Sequence, residues 1–174
     1  MKTEGGSELS QLCLREGVYM IPIKIETLLE GRKVEQNRIE YKEGFNPTDL
    51  VHTICAYAND IAGVDGGYLV IGVRAEKGIP VLPPVGLPNE LLDEIQLKIF
   101  QYCNKIEPRY IPKIDVVEYK GVHLIYLKCA AGDAGPYQAP VDVYSKKESG
   151  KGKPHYEVLD SSGIAYNRSK AQMN

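Results

Sequence analysis

An excess of one charge is the first thing missing from this sequence: 21 Lys and Arg stand against 23 Asp and Glu in 174 residues. That balance excludes the strongly basic footprint of an obligate DNA packager, so any nucleic-acid site has to be a local patch. Long apolar runs are missing as well. No window approaches the about 18 to 20 apolar residues needed to cross a bilayer, and the start, Met1 to Ser7, lacks the apolar stretch of a signal peptide. A cytoplasmic protein with no membrane partner is expected. Cysteine pairs at ligand spacing are also absent. Cys13, Cys55, Cys103 and Cys129 stand far apart, with no C-x-x-C and no His at zinc-finger spacing. They read as reduced thiols, with Cys55 and Cys103 acting as small hydrophobes on helix faces. His52, His123 and His155 are scattered, giving neither a metal pair nor a hydrolase triad. A phosphate loop of the form G-x-x-x-x-G-K-[ST] is missing too: Gly150-Lys151 runs into Gly152, and Gly152-Lys153 into Pro154. No ATP hydrolysis is expected from these residues, and no cofactor is demanded by them.

What is present suits one buried core. The chain has 43% hydrophobic residues and a length inside the range of a single domain. Residues 1–20 show no sustained period and are set apart as an extension or tail, leaving the domain at 21–174. Pro22 to Glu30 places Ile25, Leu28 and Leu29 on one helical face, with Gly31 as a left-handed stop. Arg38 to Lys42 alternates, so Ile39 and Tyr41 share one strand face and Arg38, Glu40 and Lys42 the charged other. Asn46-Pro47 opens a helix in which Leu50, Thr53, Ile54, Tyr57, Ala58 and Ile61 follow the i, i+3, i+4, i+7 rule. Gly63 to Gly67 reads as a tight turn, and Tyr68 to Val73, unbroken and apolar, as a central strand covered on both faces.

A Pro-rich loop from Pro80 to Pro88 leads to Asn89, an N-cap candidate for a helix burying Leu92, Ile95, Ile99, Tyr102 and Cys103. Ile114 to Tyr119 and Val122 to Leu127 flank Lys120-Gly121 at hairpin spacing. Val141 to Ser145 and Ile164 to Asn167 read as further short strands, with a solvated loop at Lys146 to Pro154. The order argues for an α+β fold: a mixed β-sheet with about three helices packed on it and a β-rich C-terminal half.

Three strings in this order, Glu35 to Lys42 (EQNRIEYK), Ile54 to Asn59 (ICAYAN) and Gly66 to Val73 (GGYLVIGV), resemble the Schlafen AlbA-like domain, also labelled divergent AAA. The resemblance covers about residues 21 to 170 and is closest to bacterial RecG-related helicases and transcriptional regulators. There the domain precedes others, which implies a fragment of a longer protein with C-terminal domains as partners. It implies nucleic-acid binding, DNA more than RNA, and in the animal branch RNA cleavage; AlbA-like folds also admit a homodimer. The family's closing motif is matched only in part, because Ala165-Tyr166-Asn167-Arg168-Ser169 has no glycine before the serine.

Two kinds of chemistry follow. Metal-dependent phosphodiester cleavage needs several carboxylates for Mg or Mn. Glu35 and Glu40 match the paired acids of nuclease-type Schlafens, and the third acid falls to Glu76, because Arg74 and Ala75 occupy the usual aspartate positions. Binding alone needs only cations for phosphates. Arg38, Lys42, Arg74 and Arg168 are candidates, with the cluster Lys146, Lys147, Lys151 and Lys153 flanked by Tyr144 and Tyr156 as possible stacking groups. A protein-interaction or oligomerisation module is a third reading.

Overall fold

The computed structural model describes residues 21–31 and 39–144, and the backbone of 156–157. The short helix α1 (Ile25–Glu30) precedes strand β1 (Ile39–Lys42). Helix α2 (Pro47–Asn59) crosses to β2 (Gly67–Ile71), which is followed by a small ribbon of β3 (Ala75–Glu76) and β4 (Ile79–Pro80). A 3-10 turn (Asn89–Leu91) opens α3 (Leu92–Cys103), and the hairpin β5 (Lys113–Tyr119) and β6 (Val122–Cys129) follows. The last described elements, β7 (Ala139–Pro140) and β8 (Tyr156–Glu157), pair antiparallel.

The main sheet has the order β1-β2-β6-β5. β1 and β2 run parallel, with Ile39 opposite Tyr68 and Lys42 opposite Ile71, while β2–β6 and β6–β5 are antiparallel. The mixed sheet follows from the connections: a helix-length crossover permits parallel pairing, whereas Lys120 and Gly121, at φ 49° and 83°, make the two-residue turn that an antiparallel hairpin requires. The fold is α+β, with three α-helices among the described residues.

Both faces of this sheet are covered, by different parts of the chain. Leu69 and Ile71 of β2, with Ile125, Leu127 and Cys129 of β6, face α2 and α3. Val70, Leu124 and Tyr126 face the other way, against Ile25, Leu28 and Leu29 of α1. That two-sided burial is why β2 carries no polar side chain at alternate positions. α1 is fastened at two points: Tyr41 Oη donates to the Leu28 carbonyl at 2.6 Å, and Glu30 accepts from Tyr119 Oη and from Lys120 Nζ. On the outer strand β5, Asp115 accepts from the Val116 amide at 2.9 Å and from Tyr126 Oη at 3.2 Å.

α2 begins as its sequence demands. Asn46 accepts from the Asp49 amide at 3.2 Å and Pro47 occupies the first turn, where its missing N–H costs nothing. Cys55, Cys103 and Cys129 are buried and outside any disulfide, and burial pushes the Cys103 thiol up to about 12 and raises that of Cys129. Gly66, at φ 65°, is packed so that a Cβ would lie 1.8 Å from the Cys129 carbonyl oxygen.

Four local expectations are corrected. The first helix starts at Ile25, and Gly31 ends it in an extended conformation (φ −71°, ψ 109°), its N–H reaching the Thr27 carbonyl without a left-handed step. Ile61 is 60% exposed, because Asp60 at φ 38° turns the chain out of α2 before the stripe reaches it. Asn89 does not cap α3 but starts the 3-10 turn, with no side-chain cap bond. Residues 141–144 form a turn, the strand lying just before them in β7. Ile164 to Asn167 and the tail at 1–20 lie outside the described residues.

Candidate nucleic-acid interface

The carboxyl ends of the parallel strands β1 and β2 gather most of the placed candidate residues. β1 ends at Lys42, whose carbonyl accepts from the Gly72 and Val73 amides at 2.8 and 3.0 Å. The chain then turns at Gly72 (φ 101°), where a Cβ would meet Leu124 Cδ2 at 2.9 Å and Gly86 at 3.3 Å. Glycine is therefore needed for the close approach of three chain segments. Gly86 N–H returns to the Gly72 carbonyl at 2.8 Å, and Leu87 N–H to that of His123 at 2.8 Å. These bonds anchor the base of a largely exposed arm, residues 73–85, that carries β3 and β4.

Lys42 is the best-held cation here. Its ammonium lies 2.6 Å from Asp49 of α2 and 2.8 Å from Glu40 on its own strand, with only 20% of the side chain exposed. Burial alone would lower its pKa, but the hydrogen bonds and charges of Asp49 and Glu40 outweigh that and raise it. Lys42 thus ties the strand end to the first turn of α2, and a phosphate has to compete with two carboxylates for it.

The arm presents its cations differently. Arg74 lies 3.4 Å from Glu76 with both side chains largely exposed, a pair of the kind that contributes ~0–1 kcal/mol. Lys77 stands in the left-handed region (φ 52°) at the β3–β4 turn, exposed and with no side-chain partner among the described residues. A phosphate could displace Glu76 from Arg74 at little cost and meets no competing carboxylate at Lys77 among the described residues. Sequence reasoning missed Lys77, although the Lys77-Gly78 pair repeats the Lys120-Gly121 turn and was the available signal.

The placed acids fit a divalent metal poorly. Glu40 faces Lys42, Glu76 faces Arg74, and among the described residues no three His, Cys, Asp or Glu side chains come together. An Mg or Mn site would set a divalent ion beside an ammonium 2.8 Å from one of its ligands, so no step through a metal is derived. Glu35, Arg38, Lys146, Lys147, Lys151, Lys153 and Arg168 lie outside the described residues. The structure thus brings Glu40 and Lys42 together on β1 and Arg74 and Glu76 at the root of the arm. No helix among the described residues is long and apolar enough to cross a membrane.

A mixed four-stranded sheet, helices on both faces and a charged arm at the carboxyl ends of its parallel strands define an α+β domain. The chain belongs to the Schlafen AlbA_2 family, whose model, described as Schlafen, AlbA_2, matches residues 35–157. Among solved structures it is similar to the N-terminal domain of a helicase RecG-related protein of Nitrosomonas europaea. Identity there is 30%, over 57% of this chain and 67% of that one, with a TM-score of 0.45. It is also similar to the DIP2311 protein of Corynebacterium diphtheriae, at 18% identity over 59% of this chain and 22% of that one, with a TM-score of 0.40. No curated protein matches the chain.

Proposed function

We propose that this chain is a DNA-binding domain, the recognition part of a transcriptional regulator or a RecG-related helicase-like protein, and that the arm after β2 makes its principal contact. The observation that carries the reading is the pairing of a weakly held Arg74 with a Lys77 that has no side-chain partner among the described residues, on a ribbon whose base is fixed by backbone bonds. Phosphate contacts require cations that lose little on leaving their previous partners, and both meet that condition. A two-stranded ribbon is also narrow enough for the major groove. Lys42 supports the arm by fixing the strand end and contributes less directly. The basic segment Lys146 to Lys153 adds further phosphate contacts in this reading, and family membership supports nucleic acid as the ligand class.

Nucleolytic cleavage is the weaker reading, because each placed acid of the candidate set faces a cation. The test is anisotropy of labelled duplex DNA across a salt series. Neutralising two phosphate contacts in Arg74→Ala/Lys77→Ala should lower the slope of log K against log salt by about 2 while leaving thermal stability unchanged. An unchanged slope and affinity would remove the arm from the interface, and metal-dependent fragments on a gel that vanish in Glu40→Ala would replace binding with cleavage.

A further inference from the structure

A second cluster of aromatic and basic side chains lies at α3, built from residues other than those of the arm. Tyr144, 59% exposed, meets the half-buried Tyr102 ring edge to face, with centroids 5.8 Å apart and planes at 73°. Lys105 Nζ sits over the Tyr102 ring, 5.7 Å from its centroid, and donates to the Val143 carbonyl, so it holds the chain just before Tyr144. Lys98, one turn before Tyr102 on α3, is paired with Glu94 at 2.6 Å and lies within electrostatic range of both tyrosine hydroxyls. Asp142, two residues before Tyr144, holds the turn: it accepts from the Tyr144 amide at 2.9 Å and from Thr48 Oγ1 at 3.5 Å.

We infer that Tyr144 is a stacking platform for an unpaired base of a single-stranded nucleic acid, with Lys98 and Lys105 beside it to meet the flanking phosphates. A tyrosine pinned from behind by an edge contact and a backbone-fixed turn loses little freedom when a base settles on its open face. Every base has such a face, so the site tolerates sequence while requiring unstacked nucleotides. The platform also connects with the surface described above. Thr48, which bonds Asp142 and accepts from the Val143 amide at 3.4 Å, is the neighbour of Asp49, the residue that holds Lys42. A strand leaving a duplex on the arm has a path across the first turn of α2 to Tyr144. The inference rests on the nucleic-acid reading but on a different surface.

The experiment compares a labelled oligothymidine and a blunt hairpin duplex in anisotropy titrations with wild type, Tyr144→Ala, Tyr144→Phe and Arg74→Ala/Lys77→Ala. Loss of one stacked base weakens the single strand about tenfold in Tyr144→Ala. Tyr144→Phe keeps wild-type affinity for it, and the duplex affinity of both variants is unchanged. Equal single-strand affinity in wild type and Tyr144→Ala overturns the platform even where the arm variant loses duplex binding. Tyr144-dependent single-strand binding without any duplex binding upholds the platform and removes the arm. An absence of binding to either oligonucleotide overturns both.

Discussion

Glu30 shows how one side chain determines whether a covering element stays in place. Hydrogen bonds from Tyr119 first and Lys120 second, with the Lys120 charge, hold its carboxyl below the ordinary carboxylate range. A carboxylate whose pKa is depressed by folding contributes stability that is present above its unfolded pKa and disappears as pH falls through the folded one. The difference in melting temperature between wild type and Glu30→Gln should therefore be widest at about pH 6 and shrink as pH falls to about 3. A gap independent of pH across that window would mean that the contact acts through packing and not through charge. Lys42 shows the converse: two carboxylates keep a half-buried ammonium charged, and its pairing spends most of the capacity that a surface lysine would offer a ligand.

Among the elements, α2 was the most legible in the sequence because its signals are local. Asn46 and Pro47 set its start, and Leu50, Ile54, Tyr57 and Ala58 its buried stripe. Asn46→Ala should lower stability by about 1 kcal/mol, with Asn46→Ser recovering most of it, as read from urea melts. Full stability in Asn46→Ala would show that tertiary packing alone sets the helix start. β2 and the Lys120-Gly121 hairpin were legible for the same reason, a continuous apolar run and a turn of fixed length. Parallel pairing of β1 with β2 was not, since it depends on how α2 packs and no short pattern encodes it. Nor was the end of the α2 stripe at Ile61, which a left-handed Asp60 decides. Of the candidate site, the charges Glu40, Lys42, Arg74 and Glu76 stood out in sequence, but the pairing of Arg74 with Glu76 did not. The contacts of Thr48 with Asp142 and Val143 join residues more than ninety positions apart, beyond the reach of any local signal.

At the scale of the whole molecule, a nearly neutral chain, net charge −2, concentrates function in local features and not in a global field. The sheet has two outer strands, and β1, with four residues, offers little to extend. β5 has seven, and an outer strand of that length is a template on which another chain can pair. Asp115 answers this by taking the Val116 amide with its own carboxylate while Tyr126 holds the other oxygen. The arrangement is a chain terminator for sheet growth: one donor is withdrawn, and a negative charge stands where an incoming strand would lie. Asp115→Ala should therefore scatter more light on concentration and warming than wild type, with secondary structure unchanged, and equal scattering would place the protection elsewhere. If Asp115 is what stops the sheet, this one side chain sets the concentration at which the domain can be kept as separate particles.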